Sequence, residues 1–217
     1  MKINIPSLPA FYINMEDAAQ RKTDFISWNK DLGFNNVTRI AGVYDKPYYV
    51  GLSKAFINAL ESGIKIKENI FIVFEDDAQP TEKFKNEIDI PDDADAVYLG
   101  VGPWGFRRDQ DPKGRADFNG SVFQEVKDFS EVFKIYSTLT CHAILYVNKN
   151  YARAALESYK KSISLGHYGD VQIYFDGLFD KYNVYAVGPF FYQNDLSKPH
   201  VLEGTKNIIM KDLNGSQ

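Results

Sequence analysis

The chain has 217 residues, with 25 Lys and Arg against 29 Asp and Glu, a formal net charge of −4, and abundant Tyr and Phe. That length buries a substantial core as one domain, the aromatic content argues against disorder, and the mild acidity gives no general electrostatic footprint for nucleic acid, so a DNA or RNA partner would be met only by a local basic patch. Cys141 stands alone, which excludes an intrachain disulfide or a cysteine-rich metal site, and neither the start at Met1-Lys2-Ile3-Asn4-Ile5-Pro6 nor any later run has the apolar length of a signal peptide or membrane span.

A protein without a transmembrane segment, working in the reducing cytoplasm, is therefore expected. Phe11-Tyr12-Ile13 reads as a strand, with Asn14 where the strand turns toward a helix over Glu16 to Asp31. Asn36 to Ile40 predicts a second strand, and Ser53 to Ile64 a helix whose Ala55, Phe56, Ala59 and Leu60 fall at helical spacing. Ile70 to Phe74 is a short β-branched and aromatic run, which predicts a strand buried on both faces inside a parallel sheet. Ala94 to Leu99 predicts another strand, so the first hundred residues alternate strand and helix as an α/β sheet does.

The character changes after Gly100. Residues 101–120 carry glycines, prolines, Trp104, Phe106 and the basic Arg107, Arg108, Lys113 and Arg115 with little periodicity, which predicts a long loop. Such a loop is either a solvated excursion or an acceptor platform or lid, since its rings can stack on sugars or bases. Ser121 to Val126 and Glu131 to Tyr136 predict a hairpin, and Cys141 to Val147 a core strand in which His142 is a hydrogen-bonded interior residue. Asn150 to Ser162 predicts a helix capped by Asn148 or Asn150, Gly169 to Tyr182 a further helix, and Val184 to Val187 a strand, with an irregular tail from about 189. The whole chain, 1–217, is expected to be one α/β domain.

The strand over Ile70 to Phe74 runs straight into Glu75-Asp76-Asp77. Three carboxylates at a half-buried strand end repel one another and are poorly solvated, so either their pKa values rise or a cation neutralises them. Oxygen ligands of this kind suit Mg²⁺ or Mn²⁺, with substrate phosphates and water completing the shell; the plain alternative is a solvated acidic turn. Asn14, the acidic triplet and the loop from Gly100 all leave strand ends, where ligands of open α/β sheets collect. A dinucleotide glycine fingerprint and a P-loop are both absent, so a substrate that brings its own diphosphate, such as a nucleotide sugar, fits best.

Phe-Tyr-Ile-Asn at 11–14 with Arg21, Gly-Leu-Ser-Lys at 51–54, Phe-Glu-Asp-Asp-Ala at 74–78, and Gln193 with Ser197 resemble, in order and spacing, glycosyltransferase family 25, which includes lipopolysaccharide and collagen-type transferases. The resemblance implies a GT-A (Rossmann-like) fold with a mixed central sheet and helices on both faces. It also implies a metal-dependent, inverting transfer from a UDP-sugar donor to an acceptor hydroxyl. It places Glu75 and Asp77 on the metal and diphosphate, and Tyr12, Asn14, Arg21, Ser53, Lys54 and Asp76 around the nucleotide. The family's usual Ser-His is Ser53-Lys54 here, and Lys54 is either a cation facing phosphate or a surface helix residue.

An inverting displacement needs a base for the acceptor hydroxyl. Asp170, following Gly166-His167-Tyr168-Gly169, is the first candidate, with a helix N-cap as its plain alternative; Asp176, about two turns on, is the second. His200 either closes over the metal or lies on a surface tail. The expected acceptor is a cell-envelope glycan, with a hydroxymethylated DNA base or a hydroxylated protein side chain as alternatives. The rival functions are a non-catalytic nucleotide-sugar-binding protein and a metal-dependent phosphohydrolase.

Overall fold

The computed structural model describes residues 1–102, 105, 122–129 and 131–193. In chain order the elements are β1 (Lys2–Asn4), β2 (Ala10–Asn14), α1 (Ala19–Asp31), β3 (Val37–Ala41), α2 (Tyr48–Lys65), β4 (Phe71–Glu75), β5 (Ala78–Pro80), β6 (Glu87–Asp89) and β7 (Ala96–Tyr98). There follow β8 (Val122–Glu125), β9 (Val132–Ser137), β10 (Ala143–Tyr146), α3 (Lys149–Leu165), α4 (Gly169–Phe175), α5 (Leu178–Lys181), β11 (Val184–Val187) and β12 (Phe191–Gln193). Eight strands form one mixed sheet in the order β3-β2-β4-β10-β7-β11-β9-β8, and β1-β6 and β12-β5 form two small antiparallel pairs.

The expected α/β class with a mixed sheet and helices on both faces is what the chain forms. Side chains alternate strictly across the central strands, as the period of two requires. Phe11, Ile13, Phe71, Val73, Ile144 and Tyr146 face a core that includes Phe56, Ala59 and Leu60 of α2 and Ala155 and Tyr159 of α3. Tyr12, Ile72, Phe74 and Leu145 face a second core with Phe25 and Trp28 of α1 and Phe191 of β12. Phe71 through Phe74 are each fully buried, and burying side chains of this size contributes about 1.5–3 kcal/mol each.

Several boundaries differ from expectation for local reasons. β4 lies between parallel β2 and antiparallel β10, not inside a purely parallel sheet. α2 begins at Tyr48, five residues before Ser53. Gly51 permits this, because a Cβ there would stand 2.2 Å from the Val43 carbonyl oxygen. The helix expected over Gly169 to Tyr182 is two helices, α4 and α5, interrupted at Gly177 with φ +69°. The tail expected from about 189 begins with an ordered strand, β12, which pairs with β5 in the register Gln193–Ala78. The hairpin formed by β8 and β9 is present, and Asn148 caps α3 by accepting from the Asn150 N–H at 2.9 Å. Among the described residues, no helix is long and apolar enough to cross a membrane.

Candidate functional site

β2 and β4 run parallel, so Asn14 and Glu75 emerge at the same edge of the sheet. β10 runs the other way and delivers the segment before it, Thr140-Cys141-His142, to that edge; the Glu75 N–H donates to the His142 carbonyl at 2.9 Å. A cleft of about 270 Å³ opens there between the sheet edge, α1, the start of α2 and the start of α4. Glu75, Asp76, Asp77, Asp170, Arg21 and Gln193 all line it.

The acidic triplet divides its work. Asp76 is 5% exposed and turns toward α1: its Oδ2 accepts from Asn14 Nδ2 at 2.6 Å, and its Oδ1 pairs with Arg21 Nη1 at 3.3 Å. Asn14 is held in turn by Arg39, whose Nε donates to Asn14 Oδ1 at 3.0 Å and whose Nη2 donates to the Asn14 carbonyl at 3.0 Å. Arg39 escaped the sequence reading because nothing local to Val37–Ala41 marks it; parallel pairing of β3 with β2 sets Arg39 opposite Tyr12, two residues before Asn14.

Glu75 and Asp77, on either side of Asp76, also line the cleft. Burial raises the Glu75 carboxyl well above its ordinary range, and the charges of Asp77, Asp170 and Asp76 push it further while Arg21 opposes them. Burial lifts Asp77 to about 6, against the hydrogen bond that Gln193 Nε2 donates to its Oδ2 at 3.2 Å. Among the described residues, Asp77 Oδ1 is buried without a hydrogen-bond partner. An orphaned carboxylate oxygen beside a second poorly solvated carboxylate is the electrostatic situation that a divalent cation relieves. Among the described residues no group of three or more His, Cys, Asp or Glu side chains is placed to hold one ion. Of the described residues, a cation here would take Glu75 and Asp77, with phosphate and water available as further ligands, as Mg²⁺ is commonly bound.

Asp170 enters the cleft from the opposite wall. It is not the cap of α4, a position taken by Tyr168, but sits in the first turn and accepts from the Val171 N–H at 2.8 Å. Burial raises its pKa, and its charge in turn raises that of Glu75. Its place depends on Gly169, where a Cβ would stand 2.0 Å from Cδ1 of Tyr159. α4 can approach α3 this closely only with glycine at that position.

Other expected site residues lie elsewhere. Six residues along a helix turn a side chain through about 240°. Asp176 accordingly leaves the cleft and ties α4 to α3, accepting from Ser158 Oγ at 2.7 Å, Lys161 Nζ at 3.0 Å and Gln172 Nε2 at 2.8 Å. Burial alone would raise its pKa, and these bonds hold it below the usual range instead. Ser53 is fully buried between α2 and α3, sharing a 2.9 Å hydrogen bond with Ser162, and does not line the cleft. Lys54 pairs with Asp45 on the surface and does not line it either.

Tyr12 stacks on Phe25 at 4.4 Å on the far face of the sheet. Its neighbours in β2 face the other way, a separation that the strand period imposes. His142 is interior, as expected, with Nδ1 2.6 Å from Thr140 Oγ1 and Nε2 3.3 Å from the Phe191 carbonyl. His200, Ser197, Trp104, Phe106 and the basic loop residues lie outside the described residues. Two rings that the sequence reading passed over, Tyr48 and Tyr168, line the cleft.

No family model matches the chain, and no curated protein matches it. Among solved structures it is similar to a nucleoside-diphosphate-sugar pyrophosphorylase from Vibrio cholerae RC9, at 12% identity over 97% of this chain and 82% of that one, with a TM-score of 0.46. It is similar to a glycosyltransferase involved in glycosylation of the major capsid of PBCV-1, at 12% identity over 78% and 75% of the two chains, with a TM-score of 0.41. It is also similar to a CTP:phosphocholine cytidylyltransferase from Streptococcus pneumoniae, at 12% identity over 94% and 78%, with a TM-score of 0.43.

Proposed function

We propose that this cleft transfers a sugar from a nucleotide-sugar donor to an acceptor hydroxyl, with a UDP-sugar donor and inversion at the anomeric carbon as the resemblance to glycosyltransferase family 25 implies. The observation that carries this is the joint placement of Glu75, Asp77 and Asp170 around one cleft, with Asp77 Oδ1 buried and unpartnered. Glu75 and Asp77 would hold Mn²⁺ or Mg²⁺, which when bound supplies positive charge to the departing diphosphate.

The remaining chemistry belongs to side chains. Arg21, anchored on Asp76, presents a permanent cation to the same diphosphate from the α1 side. Asp170 takes the acceptor hydroxyl proton as that oxygen bonds to the anomeric carbon and the sugar–phosphate bond breaks. The raised pKa that burial gives Asp170 makes it a better base than a solvated carboxylate. Ile13, Leu139 and Cys141 form an apolar wall that limits water, the competing acceptor.

Thermal-shift measurements with UDP and other nucleoside diphosphates, with and without Mn²⁺, test this assignment. A rise in melting temperature that needs both UDP and Mn²⁺ supports it, since only ligands bound to the folded state stabilise it. No shift with any diphosphate and metal sinks it. Release of phosphate from simple esters without a sugar acceptor would instead identify a phosphohydrolase, and donor binding without hydrolysis or transfer a non-catalytic binding protein.

A further inference from the structure

Tyr48, the first residue of α2, is 68% exposed, and Tyr168, immediately before α4, is 45% exposed, yet both line the cleft that contains Asp170. Single exposed rings are ordinary on a protein surface. Two on one cleft beside a half-buried carboxylate are a built arrangement, because Tyr49 meets the Tyr168 ring at 6.0 Å and 62° and so steadies it. Tyr168, Asp170 and Tyr48 line the same cleft. A six-membered sugar laid on the Tyr168 ring would have its C–H face against the aromatic surface and its hydroxyls in the space that Asp170 and Tyr48 also line.

Charge narrows the occupant. A cation would neutralise Glu75 and Asp77, and Arg21 already pairs with Asp76. Asp170 accepts from the Val171 backbone N–H, and His167 is the basic side chain whose charge bears on it. A phosphate or carboxylate on the acceptor next to the reacting hydroxyl would face this acid in a poorly solvated wall and be repelled. We infer that Tyr48 and Tyr168 form the acceptor subsite, and that the ring seated there is an uncharged pyranose of a glycan and not a nucleotide of DNA. The inference rests on the assignment of the cleft as a glycosyltransferase site.

The test is saturation-transfer NMR with the methyl glycosides of glucose, galactose, mannose and N-acetylglucosamine, methyl glucuronide, and an oligonucleotide carrying hydroxymethylcytosine, all with UDP and Mn²⁺ present. At least one neutral glycoside is expected to bind, with the glucuronide and the oligonucleotide weaker by about tenfold or more. Tyr168→Ala should weaken that glycoside about tenfold, the scale of one lost ring contact, and Tyr168→Phe should restore it, which separates stacking from misfolding. Three results overturn the inference: no neutral glycoside binding, unchanged affinity in a folded Tyr168→Ala protein, or preferential binding of the oligonucleotide. The UDP and Mn²⁺ thermal shift reads the donor side separately. If that shift is absent while tyrosine-dependent glycoside binding persists, the transferase assignment falls and the tyrosines stand as a carbohydrate site.

Discussion

Asn14 Nδ2 lies 2.6 Å from Asp76 Oδ2, and this contact engages the middle acid of the triplet, although all three line the cleft. Asp76 is committed to Asn14 and Arg21, so under the proposed function the residues on either side of it, Glu75 and Asp77, would be the ones to take a cation. Arg39 completes the arrangement by holding both the side chain and the backbone of Asn14.

Replacing Asn14 by Ala leaves a buried carboxylate without its amide donor and Arg39 Nε without its acceptor, while the bond from Arg39 Nη2 to the backbone carbonyl remains. The expected loss is about 1–3 kcal/mol of stability, read as a lower urea midpoint at unchanged slope. A variant as stable as the parent would show that Asp76 is held by other means.

The pH dependence has a definite sign. Asp77, lifted to about 6 by burial, keeps its proton in the folded protein across a window that starts at the ordinary value of 3.8, where the unfolded chain has released it. Its contribution is favourable at the acid end and is lost as pH rises to about 6 in metal-free protein. His142, held at about 4 by burial, works the other way and makes stability rise with pH between about 4 and 6.5. Asp77→Asn removes the first effect and keeps the second. Urea unfolding of parent and variant in chelator should therefore give a stability difference that turns against the parent between pH 4 and 6 and is flat above. A pH-independent difference would contradict the burial assigned to Asp77. Mn²⁺ should narrow the difference at pH 7, where the carboxylate is free to bind it.

Asp170→Asn and Asp176→Asn separate chemistry from architecture on one helix. The first is expected to lower kcat by about 10²–10⁴-fold, the usual range for loss of a general base. The second removes charge from an acceptor of three hydrogen bonds, two of them from α3 and one from within α4, and should lower stability by about 1–3 kcal/mol, with turnover of the folded fraction unchanged. Equal turnover in Asp170→Asn and parent would remove Asp170 from the mechanism.

Gly169→Ala forces a methyl group to within 2.0 Å of the Tyr159 ring, which itself stacks on Phe56 at 4.8 Å and has little room to move. Overpacking of this kind costs about 1–3 kcal/mol, and relief by shifting α4 carries Asp170 out of place. Lower thermal stability together with reduced kcat is expected; an unaffected variant would mean that α3 and α4 slide freely.

The core strands and the acidic junction were legible in the amino-acid order because both are local signals. Residues 71–74 are apolar without interruption, and three acids follow at once, so burial and charge conflict are written side by side. The interrupted helix after Gly169 was not legible, since a glycine within a helical pattern breaks the helix only when packing demands a positive φ. Nor could order alone tell Asp170 from Asp176, or Tyr12 from Ile13, as cleft residues: which face of a helix or strand meets the cleft depends on what covers the other face.

What the sequence by itself determined is the α/β class, the run into Glu75-Asp76-Asp77 and the need to neutralise it, because these follow from neighbouring residues. Only the tertiary structure decided that Asp76 turns to Asn14 and Arg21, that antiparallel β10 enters beside β4, that β12 brings Gln193 to Asp77, and that Tyr48 lines the same cleft as Tyr168 and Asp170. Each of these joins residues far apart in the chain, and such pairings are selected by the shape and burial of the whole fold, which no local spacing encodes.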